Sequence, residues 1–238
     1  MTVYKVKLVK KEMVATDTMA FYFEKPAEFS FKAGQYADYI QVNPSQTDAE
    51  GNVRSFTLAC APYEDGICFV TRMRDTAFKR VMKDMKIGTE IKVDGPSGDL
   101  TLKDNTTSVV FLTGGIGVTP ALSIIKQAVN DCSNQKIILF YSNCNLESAV
   151  HMDKFYEMAK LDSNFTFVPT LTQSSVSDYR GEIGRIDRDM LRKYISDLSQ
   201  PTFYITGPPT MVKSLRQILI SNNIKKNHIF TEEFEGYN

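Results

Sequence analysis

Residues 109–120, Val-Val-Phe-Leu-Thr-Gly-Gly-Ile-Gly-Val-Thr-Pro, leave a chain few ways to fold. Val109–Leu112 is apolar throughout and rich in β-branched and aromatic residues, the composition of a strand buried on both faces. Gly114, Gly115 and Gly117 follow at once. Thr119 and Pro120 then open a helix-type apolar stretch, 121–129. Thr119 is expected as its N-cap, and Pro120 suits a first turn whose N–H has no partner. A strand, a glycine turn and a helix start meeting at one point make a seat for a phosphate. Glycine lets the main chain approach an anion, and the N–H groups and dipole of the helix face it. The spacing is not Gly-x-Gly-x-x-Gly, so the ordinary dinucleotide fingerprint is absent, and a bare tight turn is the alternative.

The chain after residue 103 continues in the same style. Apolar strands at Val109–Leu112, Lys136–Tyr141, Phe165–Thr170, Thr202–Thr206 and His228–Glu232 alternate with helical stretches at 120–129, 147–160, 187–196 and 209–221. Such alternation implies βαβ crossovers and a parallel sheet covered on both faces. The chain before residue 103 reads differently. Short strands at 3–10, Met19–Phe23, Tyr36–Val42, Arg54–Ala59, Ile67–Arg72 and Glu90–Val93 come at regular intervals, with one helix at Phe78–Met85. That pattern suggests a closed or nearly closed antiparallel barrel. Two domains are therefore expected: an N-terminal antiparallel β-barrel over 1–103, and a C-terminal α/β parallel-sheet nucleotide-binding domain over 104–238.

Lys plus Arg and Asp plus Glu both number 28, so there is no general attraction to nucleic acid or to an anionic membrane. No apolar run approaches the length of a membrane span, and the start, Met-Thr-Val-Tyr-Lys-Val-Lys, carries charge where a signal peptide needs an apolar core. Cys60, Cys68, Cys132 and Cys144 form no Cys-x-x-Cys, and His151 and His228 are far apart, so neither zinc nor iron–sulfur spacing is present and no metal is expected. Four unclustered cysteines fit a reducing, cytoplasmic setting, where they serve as small, mostly buried side chains.

Ligands of the parallel half are expected beyond the carboxyl ends of its strands. Besides 113–120, two stretches lie there. Ser142 and Asn143 can bond a ribose or its phosphate. Gly207-Pro208-Pro209 repeats the strand–glycine–helix arrangement, with Gly207 admitting close backbone approach and the prolines fixing the chain. In the barrel half, Arg54-Ser55-Phe56-Thr57 alternates along a strand, so Arg54 and Phe56 share a face and Thr57 points away. A twist or bend is needed to bring all of them to one ligand.

Arg54-Ser55-Phe56-Thr57 resembles the Arg-x-Tyr-Ser signature of ferredoxin–NADP⁺ reductase-like flavoproteins. The resemblance continues in order through Gly95-Pro96-Ser97-Gly98, Gly114–Pro120, Thr206-Gly207-Pro208-Pro209 and Glu232-Glu233-Phe234. It implies FAD in the barrel, with Arg54 on the pyrophosphate, Phe56 against the isoalloxazine or ribityl and Thr57 near flavin N5. Phe56 in place of the usual Tyr keeps a stacking face and loses a hydroxyl. Arg72, Thr76, Ala77 and Phe78 resemble the second FAD phosphate segment, where a helix start offers N–H groups to an anion. Because Arg54 and this segment serve a diphosphate, FAD is favoured over FMN.

The same resemblance implies NAD(P)H in the α/β half. Its pyrophosphate would lie near Gly114, Gly115, Gly117, Thr119 and Pro120, and its nicotinamide would be fixed by Gly207, Pro208 and Pro209. Ser142, Asn143 and Arg180 or Arg185 are candidates for a 2′-phosphate. Pro208 stands where many relatives carry a cysteine. Phe234 would shield the flavin and Glu232 would handle a proton, which with Thr57 makes the expected catalytic set. The function implied is an NAD(P)H-dependent flavin oxidoreductase handing electrons to a separate acceptor such as ferredoxin, flavodoxin or an oxygenase component. The alternatives are a non-catalytic flavin- or nucleotide-binding module, or the reductase component of an oxygenase. A basic cluster, Arg72, Arg74, Lys79, Arg80 and Lys83, fits either docking of an acidic carrier or phosphate contacts beside a solvated helix face.

Overall fold

A computed structural model describes residues 2–173 and 179–234. The first lobe is one antiparallel sheet of six strands: β1 (Val3–Ala15), β2 (Thr18–Glu24), β3 (Tyr36–Ile40), β4 (Val53–Thr57), β5 (Gly66–Arg72) and β6 (Glu90–Ser97). Their spatial order is β4-β3-β6-β1-β2-β5. Just past β4 the Leu58 amide donates to Gln35 O and the Ala59 amide to Cys68 O, at 2.9 and 2.8 Å. The two sheet edges thus meet beyond β4, and the sheet curls into a nearly closed barrel. Closure disposes of edges that would otherwise template other chains. Phe21, Phe23, Tyr39 and Phe69 fill the interior, with the Phe21 and Phe69 rings stacked at 5.1 Å. Helix α1 (Ala77–Asp84) caps the barrel with buried Phe78 and Met82, and Thr76 is its N-cap.

Two strands are longer than the pattern suggests. β1 runs on from residue 10 to Ala15 through Lys11 and Glu12, whose charges sit on a hairpin arm rather than in a core. Asp17 closes that hairpin in the left-handed region, which a short polar side chain tolerates. β6 continues through Gly95 and Pro96 to Ser97, pairing there with Tyr36 of β3.

The second lobe is a parallel sheet: β7 (Val109–Gly114), β8 (Ile137–Asn143), β9 (Phe165–Leu171), the two-residue β10 (Glu182–Ile183), β11 (Thr202–Gly207) and β12 (Ile229–Glu233). The order is β10-β9-β8-β7-β11-β12. Every residue of β7 is buried. Val109 and Phe111 pack with α2 (Thr119–Asn130) and α3 (Met152–Leu161), while Val110 and Leu112 pack with α4 (Arg188–Tyr194) and α5 (Pro209–Ser221). This two-sided burial is why the strand shows no polar alternation. The chain steps outward from β7 through β8 and β9, then returns to lay β11 on the other side of β7. The strand order therefore reverses between β7 and β11, the place where open α/β sheets bind ligands.

Two local expectations are corrected. Thr119 is not an N-cap: a 3₁₀ turn over Gly115–Val118 precedes α2, the cap position falls on Val118, and the Thr119 hydroxyl donates to Ile116 O at 3.0 Å. Helix α3 starts at Met152 rather than 147, because His151 adopts a left-handed conformation that ends the preceding turn.

The lobes are pinned along a seam. Ser123 on α2 donates to Cys60 O at 2.5 Å, Lys126 pairs with Glu64 at 2.9 Å, and the Thr16 amide at the β1–β2 hairpin tip donates to Glu147 O at 2.8 Å. Ile116 and Val150 of the second lobe belong to the core of the barrel. Cys60 and Cys68 are buried, as expected, but Cys132 and Cys144 are exposed. Among the described residues no helix is long and apolar enough to cross a membrane, and no three His, Cys, Asp or Glu side chains converge on a point.

Candidate cofactor cleft

Two cavities flank the seam. One, of about 1050 Å³, follows the free edge of β4, and the other, of about 940 Å³, lies over the carboxyl ends of β7, β8 and β11. Ile116 and Phe234 border both. The Phe234 amide donates to Gly207 O at 2.9 Å, which fixes the backbone carrying that ring at the junction.

Arg54, Ser55, Phe56 and Thr57 all border the barrel-side cavity. The bend that alternation demands is replaced by an open edge. β4 is the sheet's edge strand, so a cavity along its free edge is open to residues from both of its faces. The Phe56 ring stacks on Phe69 at 4.2 Å with an interplanar angle of 5°. Arg54 lies over the Phe78 ring at 5.4 Å and bonds the carbonyls of Glu50 and Val53. Arg74, Thr76 and Lys79 complete this end of the cavity. Burial first, and then the neighbouring Arg74 and Arg54, press the Lys79 ammonium down to about 8. At the other end stand Tyr36, Lys103 and Phe230, with the Lys103 ammonium 5.0 Å from the Phe230 ring. Glu232 also faces this cavity, and burial pushes its carboxyl above the usual range.

On the sheet side, Gly114, Gly115, Gly117, Ser142, Asn143 and Pro208 border the cavity. Two glycines explain its shape. A Cβ on Gly117 would stand 2.6 Å from the N and Cα of Gly207, and Gly207 itself has φ +152°. The two glycine turns thus touch main chain to main chain at the switch between β7 and β11. Thr206 locks them, its hydroxyl donating to Gly117 O at 2.5 Å.

Several predicted residues fall elsewhere. Arg72 borders the sheet-side cavity, not the barrel-side one: it ends β5 opposite Thr18, beside the β1–β2 hairpin tip whose Thr16 and Asp17 line the same cavity. Thr119 borders the barrel-side cavity rather than that of the glycine turn. Ala77, Phe78, Pro120, Gly207 and Pro209 line neither; Phe78 is a core side chain and Gly207 acts by its backbone. The basic cluster splits along the same lines. Arg74 and Lys79 belong to the barrel-side cavity, while Arg80 bonds Asp75 and Gln46.

Sequence reading missed Tyr36, Lys103 and Phe230 on one side, and Asp17 and Glu147 on the other. None sits in a motif, and only the fold brings them to the seam. The sheet-side rim is anchored by the buried Tyr141 hydroxyl, which accepts from the Val150 amide at 2.9 Å. His151, next in the chain, is pushed down to about 4 by burial and then by Lys154 and Lys126, so it is neutral near pH 7.

Residues 5–102 match the oxidoreductase FAD-binding domain family, and residues 111–217 match the oxidoreductase NAD-binding domain family. The chain is 28% identical over 218 residues to the propane 2-monooxygenase reductase component of Mycolicibacterium goodii, covering 88% of this chain and 61% of that one. It is 25% identical over 236 residues to the CDP-6-deoxy-L-threo-D-glycero-4-hexulose-3-dehydrase reductase of Yersinia pseudotuberculosis, covering 97% of this chain and 68% of that one. The chain therefore spans about three-fifths to two-thirds of the length of these relatives. In fold it resembles a ferredoxin NADP⁺ reductase from Neisseria gonorrhoeae solved with FAD and NADP (TM-score 0.81, 22% identity, covering 97% of this chain and 98% of that one). It resembles equally the FAD/NAD-binding domain of the Vibrio cholerae nitric oxide dioxygenase (TM-score 0.84, 17% identity, covering 97% and 98%). With a flavin-domain match and a nucleotide-domain match in this order on a shared two-lobed fold, the chain belongs to the ferredoxin–NADP⁺ reductase-like flavoproteins.

Proposed function

We propose that the chain is an NAD(P)H-dependent flavin oxidoreductase that passes electrons to a separate protein acceptor. The observation that carries this reading is the meeting of two large cavities at Ile116 and Phe234. One cavity has the cations and aromatic walls a flavin dinucleotide needs. The other has glycine turns packed main chain to main chain, where a Cβ on Gly117 would collide with Gly207 and leave the backbone as the surface offered to a pyrophosphate. The barrel lobe, 1–103, takes FAD and the sheet lobe, 104–238, takes NAD(P)H.

When bound, the two cofactors supply hydride transfer between nicotinamide and flavin, so the chemistry is theirs. The chain supplies placement. Arg54, Arg74 and Lys79 hold phosphate charge, and Phe56, braced on Phe69, offers a flat wall. Ser55 and Thr57 present hydroxyls along the β4 edge. Ile116 and Phe234 narrow the junction and exclude water, which strengthens the electrostatics inside it. Glu232, its carboxyl raised by burial, holds a proton nearer neutrality than an exposed glutamate does. Gly114, Gly115 and Gly117, with Gly207 packed behind them, would offer main chain to the nucleotide's phosphates, and Ser142 and Asn143 would serve its ribose.

The relatives are named as reductase components of a monooxygenase and a dehydrase. That supports an acceptor carried on another polypeptide, of the ferredoxin, flavodoxin or oxygenase-component kind. The four unpaired cysteines support a reducing, cytoplasmic setting. Anaerobic stopped-flow mixing of the purified chain with NADH and, separately, NADPH tests the reading. Bleaching of a bound yellow flavin by at least one donor is expected. A chain that carries flavin and is reduced by neither is a binding module and not a reductase.

A further inference from the structure

The anion seat expected at the head of α1 already holds an anion, and it belongs to the chain. Asp48 lies in the connection between β3 and β4. Its Oδ2 accepts from the Ala77 amide at 3.0 Å, and its Oδ1 stands 3.2 Å from Arg54 Nη2 and accepts from the Glu50 amide at 3.1 Å. Glu50 adds a second ion pair to the same guanidinium nitrogen at 2.8 Å. Arg54 is well sheltered, its side chain 18% exposed, and the Asp48 side chain beside it is 33% exposed, whereas that of Glu50, 73% exposed, adds a surface contact. Arg74 and Lys79 border the same cavity and add positive charge around it.

We propose that Asp48 is a built-in stand-in for a flavin phosphate: it closes the β3–β4 connection onto Arg54 and the α1 head, and a phosphorylated flavin reaches those donors by displacing it. The inference rests on the flavin reading of this cavity. The physical argument is exclusion. An amide N–H makes one good hydrogen bond, and with Asp48 on it the Ala77 amide borders neither cavity, so a phosphate reaches that donor only when Asp48 leaves. Either Asp48 or a phosphate has the Ala77 amide. The connection stays tethered when Asp48 leaves, because Gln46 accepts from Arg80 at 2.9 and 3.1 Å. The device is thus a local latch, and every phosphorylated flavin binds against its competition.

The test uses the full chain stripped of flavin, with FAD, FMN and riboflavin titrated by quenching of flavin fluorescence. Asp48→Ala and the same-sized Asp48→Asn should each bind FAD and FMN about ten-fold tighter, the order set by one charge-assisted contact. Their association should also be faster. Riboflavin, which has no phosphate, should bind wild type and variants alike. FAD affinity that is unchanged or lowered in both variants overturns the latch and makes Asp48 an ordinary loop residue or a support for Arg54. Binding of none of the three flavins by the wild-type chain defeats the flavin reading itself, a result separable from failure of the latch alone.

Discussion

On the function proposed above, the barrel and the parallel sheet would receive a phosphate by opposite means. The barrel does it with side chains: Arg54, Arg74 and Lys79 gather charge at one end of a cavity, where burial and then the two arginines depress the Lys79 ammonium. The sheet does it with the lack of side chains, by pressing Gly117 and Gly207 together at the strand-order reversal. A charge-based grip can be answered by the protein's own carboxylates, as Asp48 and Glu50 answer Arg54. A backbone grip has no such competitor, but it tolerates no added atom. The lesson is that the barrel site is adjustable in strength, whereas the sheet site either has its shape or does not.

The sharpest way to break that contrast is Gly117→Val. Its Cβ has no room against Gly207, so the glycine turns must part. Reduction by NAD(P)H should slow by roughly 100-fold or more, the scale of an ångström's misplacement, while flavin content stays at the wild-type level. Equal reduction rates in stopped flow would remove the backbone grip. Arg54→Ala should act on the other lobe, weakening FAD retention by roughly 10- to 100-fold, the worth of hydrogen bonds to a charged group. Flavin absorbance that survives dialysis unchanged would count against it.

A third change tests the seam between the two regions. His151 is neutral when folded, with its pKa lowered to about 4, and it is protonated below about 6.5 when unfolded. Its contribution is present above that value and lost as pH falls toward 4. Lys154 and Lys126 oppose its protonation, and Asp153 and Glu12 favour it. Asn accepts the left-handed backbone at this position. His151→Asn should therefore flatten the fall in stability between pH 6.5 and 4 by about 2 kcal/mol, read from urea midpoints across that range. An unchanged pH slope would show that His151 is not the group being protonated. The smallest effect is expected from Phe234→Leu, which keeps apolar bulk and loses the ring. A slowing of flavin reduction by roughly three- to ten-fold fits the loss of an aromatic contact, and unaltered rates would mean that Phe234 does no more than fill the junction.

What the sequence disclosed followed the same division. The sheet lobe was legible because burial on both faces leaves an unbroken apolar run at Val109–Leu112, and because glycine turns at strand ends are written in consecutive residues. The barrel's strand order was not legible, since β1 pairs with both β2 and β6 and nothing local records a partner 80 residues away. Arg72 went to the other cavity because the face a strand's last residue presents depends on where the second lobe docks. Thr119 looked like a cap because its residue type favours one, and a 3₁₀ turn ahead of the helix took that place. Asp48 was invisible for a plainer reason. An acidic residue in a polar loop reads as solvated surface until the fold shows that it lies on an arginine.

The three ties across the seam, at Ser123, Lys126 and Thr16, have a consequence for distance. Lobes stitched at separated points do not swing apart like the halves of a shell on each turnover. Ile116 and Phe234 then stay as a party wall between the two cavities, and whatever fills one is held at a fixed spacing from whatever fills the other.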